Sequence, residues 1–134
     1  MSAILNTKRA VERLVAGLGY PVAYEEVTFD PPANAVWLRL NFRVNEPESP
    51  TMGEGYYRED ITAFIFVAGP KGKGTAQVIT VAEQIRTLLD KGSTLIESGT
   101  EILVLKKPQI AGTAPTDSHV VCPVIVDFSV NVYE

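Results

Sequence analysis

The stretch Val36-Trp37-Leu38-Arg39-Leu40-Asn41-Phe42-Arg43-Val44 decides the fold. Val36, Leu38, Leu40, Phe42 and Val44 alternate with Trp37, Arg39, Asn41 and Arg43, and a strand sends successive side chains to opposite faces. The first set is expected on a core and the second on an outer or interface face. A second run, 57–67, places Ile61, Ala63, Ile65 and Val67 on one face and Thr62, Phe64 and Phe66 on the other. Apolar residues on both faces near its end predict a central strand covered on both sides there. Between the runs lies NEPESPTMGEG (45–55), whose two prolines, two glycines and three glutamates cannot build a core strand. The two runs read as a long antiparallel hairpin with a mobile tip.

Working outward, the N-terminal segment has helical spacing: Ile4, Leu5, Val11, Leu14, Val15 and Leu18 form one face. Gly17, Gly19 and Pro21 end it. A short extended piece (21–27) leads to a turn at Asp30-Pro31-Pro32, where two prolines disfavour a regular element. After the hairpin, GPKGKG (69–74) connects to a second helix with Thr75 at its N-cap and a stripe of Val78, Val81, Ala82, Ile85, Leu88 and Leu89. Gly92 closes it. Two strands follow at 94–97 and 101–107, then a polar turn (108–117), then a last strand over 119–133. Val120, Cys122, Val124, Val126, Phe128, Val130 and Val132 share one face of that strand. Pro123 removes a backbone donor, which predicts an edge position or a bulge at that point. The order is α-β-β-β-α-β-β-β. Short turns between consecutive strands favour antiparallel pairing, so the fold class is α+β: a single, mostly antiparallel sheet with two packed helices.

The chain has 134 residues, 46% of them hydrophobic, and a formal net charge of −4. One domain over 1–134 with a real core fits that length. The charge lacks the basic footprint of a nucleic-acid-binding domain. The lone Cys122 permits no intramolecular disulfide, and with the lone His119 it excludes the usual four-ligand zinc site within one chain. Charges in MSAILNTKRAVERL stand where a signal peptide needs an apolar run. No stretch approaches the roughly 18 apolar residues of a membrane span. The protein is expected to be made in a cytoplasm.

Candidate chemistry is sparse. The Gly69–Gly74 loop follows a strand and opens a helix, the context of a phosphate loop. Such a loop needs a lysine directly before its Ser/Thr; here Gly74 precedes Thr75. A strand-to-helix turn is the better reading, with a nucleotide-binding enzyme as the rival. His119 and Cys122 lie three apart on a strand, so they face opposite sides and do not form a dyad. Glu25 and Glu26, and Glu59 and Asp60, are likewise split between faces. No catalytic, metal or cofactor-binding residue is expected. Trp37, Arg39 and Arg43, with Tyr56, Tyr57 and Arg58 opening the partner strand, form the aromatic and arginine set enriched at protein interfaces. They are the candidate subunit or partner interface. Asn45, Glu46, Glu48, Met52 and Glu54 are the candidate mobile docking loop, long enough to order only on docking.

These residues together resemble the phage tail-terminator family of siphovirus-type phages over nearly the whole chain. The resemblance begins with the N-terminal helix, Pro21-Val22-Ala23-Tyr24-Glu25-Glu26-Val27, Phe29 and Pro31-Pro32. It continues through Trp37-Leu38-Arg39, the Gly/Glu-rich tip, Gly69-Pro70 with Gly72 and Gly74, the second helix and Gly92. It ends with Lys107-Pro108, Asp117 and Pro123-Val124. No single element is specific; their order and spacing are. The resemblance implies a non-enzymatic virion protein that forms a ring, typically six-fold, at the head-proximal end of the tail tube and stops tube growth. It implies contact with the tube protein and a head-completion or connector protein, with DNA only as passing cargo and no cofactor. Another neck or tail-tube structural protein is the alternative.

Overall fold

Helical spacing at the N-terminus becomes α1 (Ala3–Ala16), started by Ser2, whose hydroxyl accepts from the Leu5 N–H. The computed structural model describes residues 2–47, 55–116 and 118–133. The helix buries Ala10, Val11 and Val15 as the stripe predicts, but Leu5 points to solvent and Asn6 and Thr7 are buried instead. Both polar side chains are satisfied. Thr7 donates to the Ala3 carbonyl, and Asn6 Nδ2 donates to Thr100 Oγ1 at 2.7 Å. The helix stops through Gly17, still right-handed, and Gly19, which takes the left-handed conformation (φ 87°).

The strands are β1 (Val22–Ala23), β2 (Trp37–Val44), β3 (Tyr56–Pro70), β4 (Thr94–Glu97), β5 (Thr100–Val104), β6 (Gln109–Ile110), β7 (Ala114–Pro115) and β8 (His119–Tyr133). Helix α2 (Ala76–Leu88) lies between β3 and β4. The sheet order is β1-β2-β3-β8-β5-β4, with β6 and β7 also on β8. All pairings are antiparallel except β1 with β2. The α+β class and element order read from sequence hold; what differs is the turn at 108–117, where β6 and β7 add two residues each along β8.

The centre is the β3–β8 ladder, paired from Tyr56↔Tyr133 to Pro70↔His119. Along the opposite edge of β8, β7, β6 and β5 follow one another, pairing around Val120, Val124 and Phe128. This explains how Pro123 occupies an interior strand. Its carbonyl accepts from the Ala111 N–H, so its nitrogen faces that same edge, in the gap between β6 and β7. The β3 ladder loses no donor there, and no bulge is needed.

One face of the sheet carries both helices. Leu38 and Leu40 of β2, Ile65 and Val67 of β3, and Val124, Val126 and Phe128 of β8 join Val11, Val15, Val81 and Ile85 in one core. Arg13 ties α1 to β4 through a bidentate pair with the buried Glu97 carboxylate (2.7 and 2.9 Å). The connector after β3 is shaped by packing and turn geometry. Gly72 and Gly74 have φ of 85° and 79°, and a Cβ on Gly69 would meet Val78 Cγ1 at 2.6 Å. Thr75 stands at the N-cap of α2 without a capping side-chain bond. Beyond β1, the outer edge of β2 is closed by a side chain: Glu25 accepts from the Phe42 N–H (2.9 Å) and pairs with Lys8 (2.6 Å).

Candidate functional site

The face of the sheet opposite the helices carries the interface residues expected from sequence. Register puts Trp37 beside Ala68, Arg39 beside Phe66, Asn41 beside Phe64 and Arg43 beside Thr62. On the next strand, Phe64 neighbours Ile125 and Thr62 neighbours Asp127. Strand alternation continues this face to Arg58 and Tyr56. It also places Tyr57 on the other side, against Val132. Five of the six candidates therefore share one face and Tyr57 does not.

The face divides into three zones. At one end it is covered, by a loop and not by a helix: Phe29 packs tilted against Trp37 with ring centroids 5.2 Å apart, His119 makes an edge contact at 5.3 Å, and Ala23, Ala68 and Val121 complete a small second core. Trp37 is only 6% exposed, so it is a packed residue and not a surface anchor. Its Nε1 is buried with no hydrogen-bond partner among the described residues. The central zone is half-open. Phe64 and Phe66 are stacked (centroids 6.4 Å apart) and partly exposed, so the cover expected on both sides of β3 near its end is complete at Ala68–Pro70 and incomplete over the two phenylalanines. Arg39 lies over Trp37 and Arg43 over Phe64, each at 5.5 Å.

The third zone is polar and internally satisfied. Arg43 Nε donates to Asn45 Oδ1, Asn45 Nδ2 donates to the Thr62 hydroxyl, and Thr62 donates to Asp127 Oδ1. Lys106 pairs with the same carboxylate at 3.2 Å. Arg58 pairs with Asp60, and the Tyr56 hydroxyl donates to Asn131. Of the expected docking loop, Asn45 is fixed into this network and by its own N–H to the Asp60 carbonyl. Glu46 is exposed. Glu48, Met52 and Glu54 lie outside the described residues.

Elsewhere the chemistry is thin. Cys122 is buried on the helix side, where burial pushes its thiol above the ordinary value, while His119 stands on the opposite face. Among the described residues no three His, Cys, Asp or Glu side chains gather as a metal site. No described helix is long and apolar enough to cross a membrane. A cleft of about 700 Å³ opens between β5 and the free end of β8, lined by Tyr57, Thr100, Glu101, Leu103, Asn131 and Tyr133 among others.

Comparison with known proteins places the chain in a family. The family model for the phage tail terminator protein matches residues 4–128. The chain belongs to that family, and its role is that of a structural component of a phage tail. A solved structure with 19% sequence identity, covering 100% of this chain and 99% of its own, superposes with a TM-score of 0.78, which shows a shared fold. Among curated proteins nothing matches.

Proposed function

We propose that this chain caps the head-proximal end of the tail tube as a six-fold ring, stops tube polymerisation and offers a docking surface to the head-completion or connector protein. The observation that carries this reading is membership of the tail-terminator family over nearly the whole chain. The open sheet face supports it. Arg39 lies over the Trp37 ring and Arg43 over the half-exposed Phe64 ring, with no carboxylate partner among the described residues. A guanidinium placed over a ring can still donate N–H groups to a neighbour; Arg43 commits its Nε–H to Asn45 and retains its terminal NH2 groups. The partners are other copies of the chain, the tube protein and the connector, with DNA passing through the ring and no cofactor engaged. Residues 45–55 are the proposed element that docks on a neighbour.

Electron microscopy of particles made without this protein tests the reading. Tails of uncontrolled length, unattached to heads, are expected. Tails of normal length joined to heads would overturn it, and so would purified chain that polymerises into long tubes.

A further inference from the structure

We propose that the exposed patch formed by Ile96, Glu101, Leu103 and Leu105 at the β4–β5 edge is the surface onto which the Arg39–Arg43 strip of a second copy docks. The proposal rests on the ring reading. A cyclic assembly larger than a dimer joins two different patches of one subunit, head to tail. The Arg39–Arg43 strip beside β2 is one such patch. The other must be elsewhere, exposed, and complementary in charge and apolarity.

The β4–β5 edge meets those conditions. Ile96 is 71% exposed, Leu103 42% and Leu105 37%, a cluster of large aliphatic side chains on a single edge. Register shows that the three β-strand residues share a face: Ile96 pairs with Glu101, and Leu103 pairs with Ser129, which itself pairs with Asp60. That is the arginine-bearing face. Glu101 is exposed and has no ion-pair partner among the described residues. It stands at the rim of the 700 Å³ cleft, which has room for an incoming side chain.

The two patches are complementary. One offers two exposed guanidinium groups beside the half-buried Phe64 and Phe66. The other offers a carboxylate beside three aliphatic side chains. They cannot satisfy each other within one copy. β3 and β8 stand between β2 and β5, so the patches are at least about 14 Å apart across three strand spacings. Each copy therefore presents a cationic edge and a carboxylate edge, and successive copies join them in one direction.

The test uses the full chain, alone and mixed with purified tail tubes, followed by sedimentation. E101R, I96D and R39E/R43E are each expected to raise the concentration for half-assembly by about tenfold or more. The triple reversal E101R/R39E/R43E is expected to restore assembly, and all four should keep a native circular dichroism spectrum. If wild-type rings form and the reversals leave them unchanged, this contact is wrong and the ring reading stands. If assembly stops at a closed dimer, the head-to-tail direction is wrong. If the wild-type chain stays monomeric with and without tubes, the ring reading fails and the contact with it.

Discussion

Trp37 faces outward from β2 and yet packs as a core residue. Phe29 and His119 enclose its ring, and Arg39 closes the top. Trp37→Ala is expected to cost about 3–5 kcal/mol of stability, the usual loss for a large aromatic in a packed site. Urea denaturation measures this, and a loss under about 1 kcal/mol would mean that Phe29 is not held there. An alanine at this position is therefore a test of folding, whereas substitutions at Arg39 and Arg43 test the proposed contact. The alternation in 36–44 correctly places Trp37 on the outer face. Its cover was not legible, because Phe29 comes from a proline-rich segment with no periodicity to reveal where it packs. Asn6 and Thr7 show the same limit: partners 94 and four residues away make them tolerable in the interior.

Among the elements, the β3–α2 connection shows a glycine held by close approach. A methyl on Gly69 would collide with the buried Val78. Gly69→Ala is expected to lower stability by about 1–3 kcal/mol through overpacking. Adding Val78→Ala makes room, so the double variant should lose less than the sum of the single variants in a denaturation cycle; strict additivity would refute the clash. The elements themselves were largely readable. Long runs with period two (β2, β3, β8) and helical stripes (α1, α2) announce themselves because each buries one face. β6 and β7 do not, being two residues long and defined only by what they lie against. The β4–β5 patch also escaped the reading. Leu103 belongs to an alternating strand, and nothing local says that the face it shares with Glu101 is the uncovered one.

For the whole molecule, the dominant pairing joins residues 56–70 to 119–133. Closing that separation precedes any gain from the ladder, and domains dominated by distant strand pairs fold slowly. Refolding in milliseconds to seconds is expected by stopped-flow fluorescence of the single tryptophan, and a microsecond phase carrying the whole amplitude would contradict it. Trp37 suits that measurement because its environment forms only when β2, β3, the 24–35 loop and the start of β8 have met.

Glu25 has a consequence at this same scale. Its carboxylate occupies the Phe42 N–H at the margin of β2 and is anchored there by Lys8. That contact denies one ladder bond to a foreign strand on that flank. It favours shaped side-chain contacts, which are finite and selective, over backbone addition there. Open-ended addition of strands along that flank is thereby disfavoured within each copy.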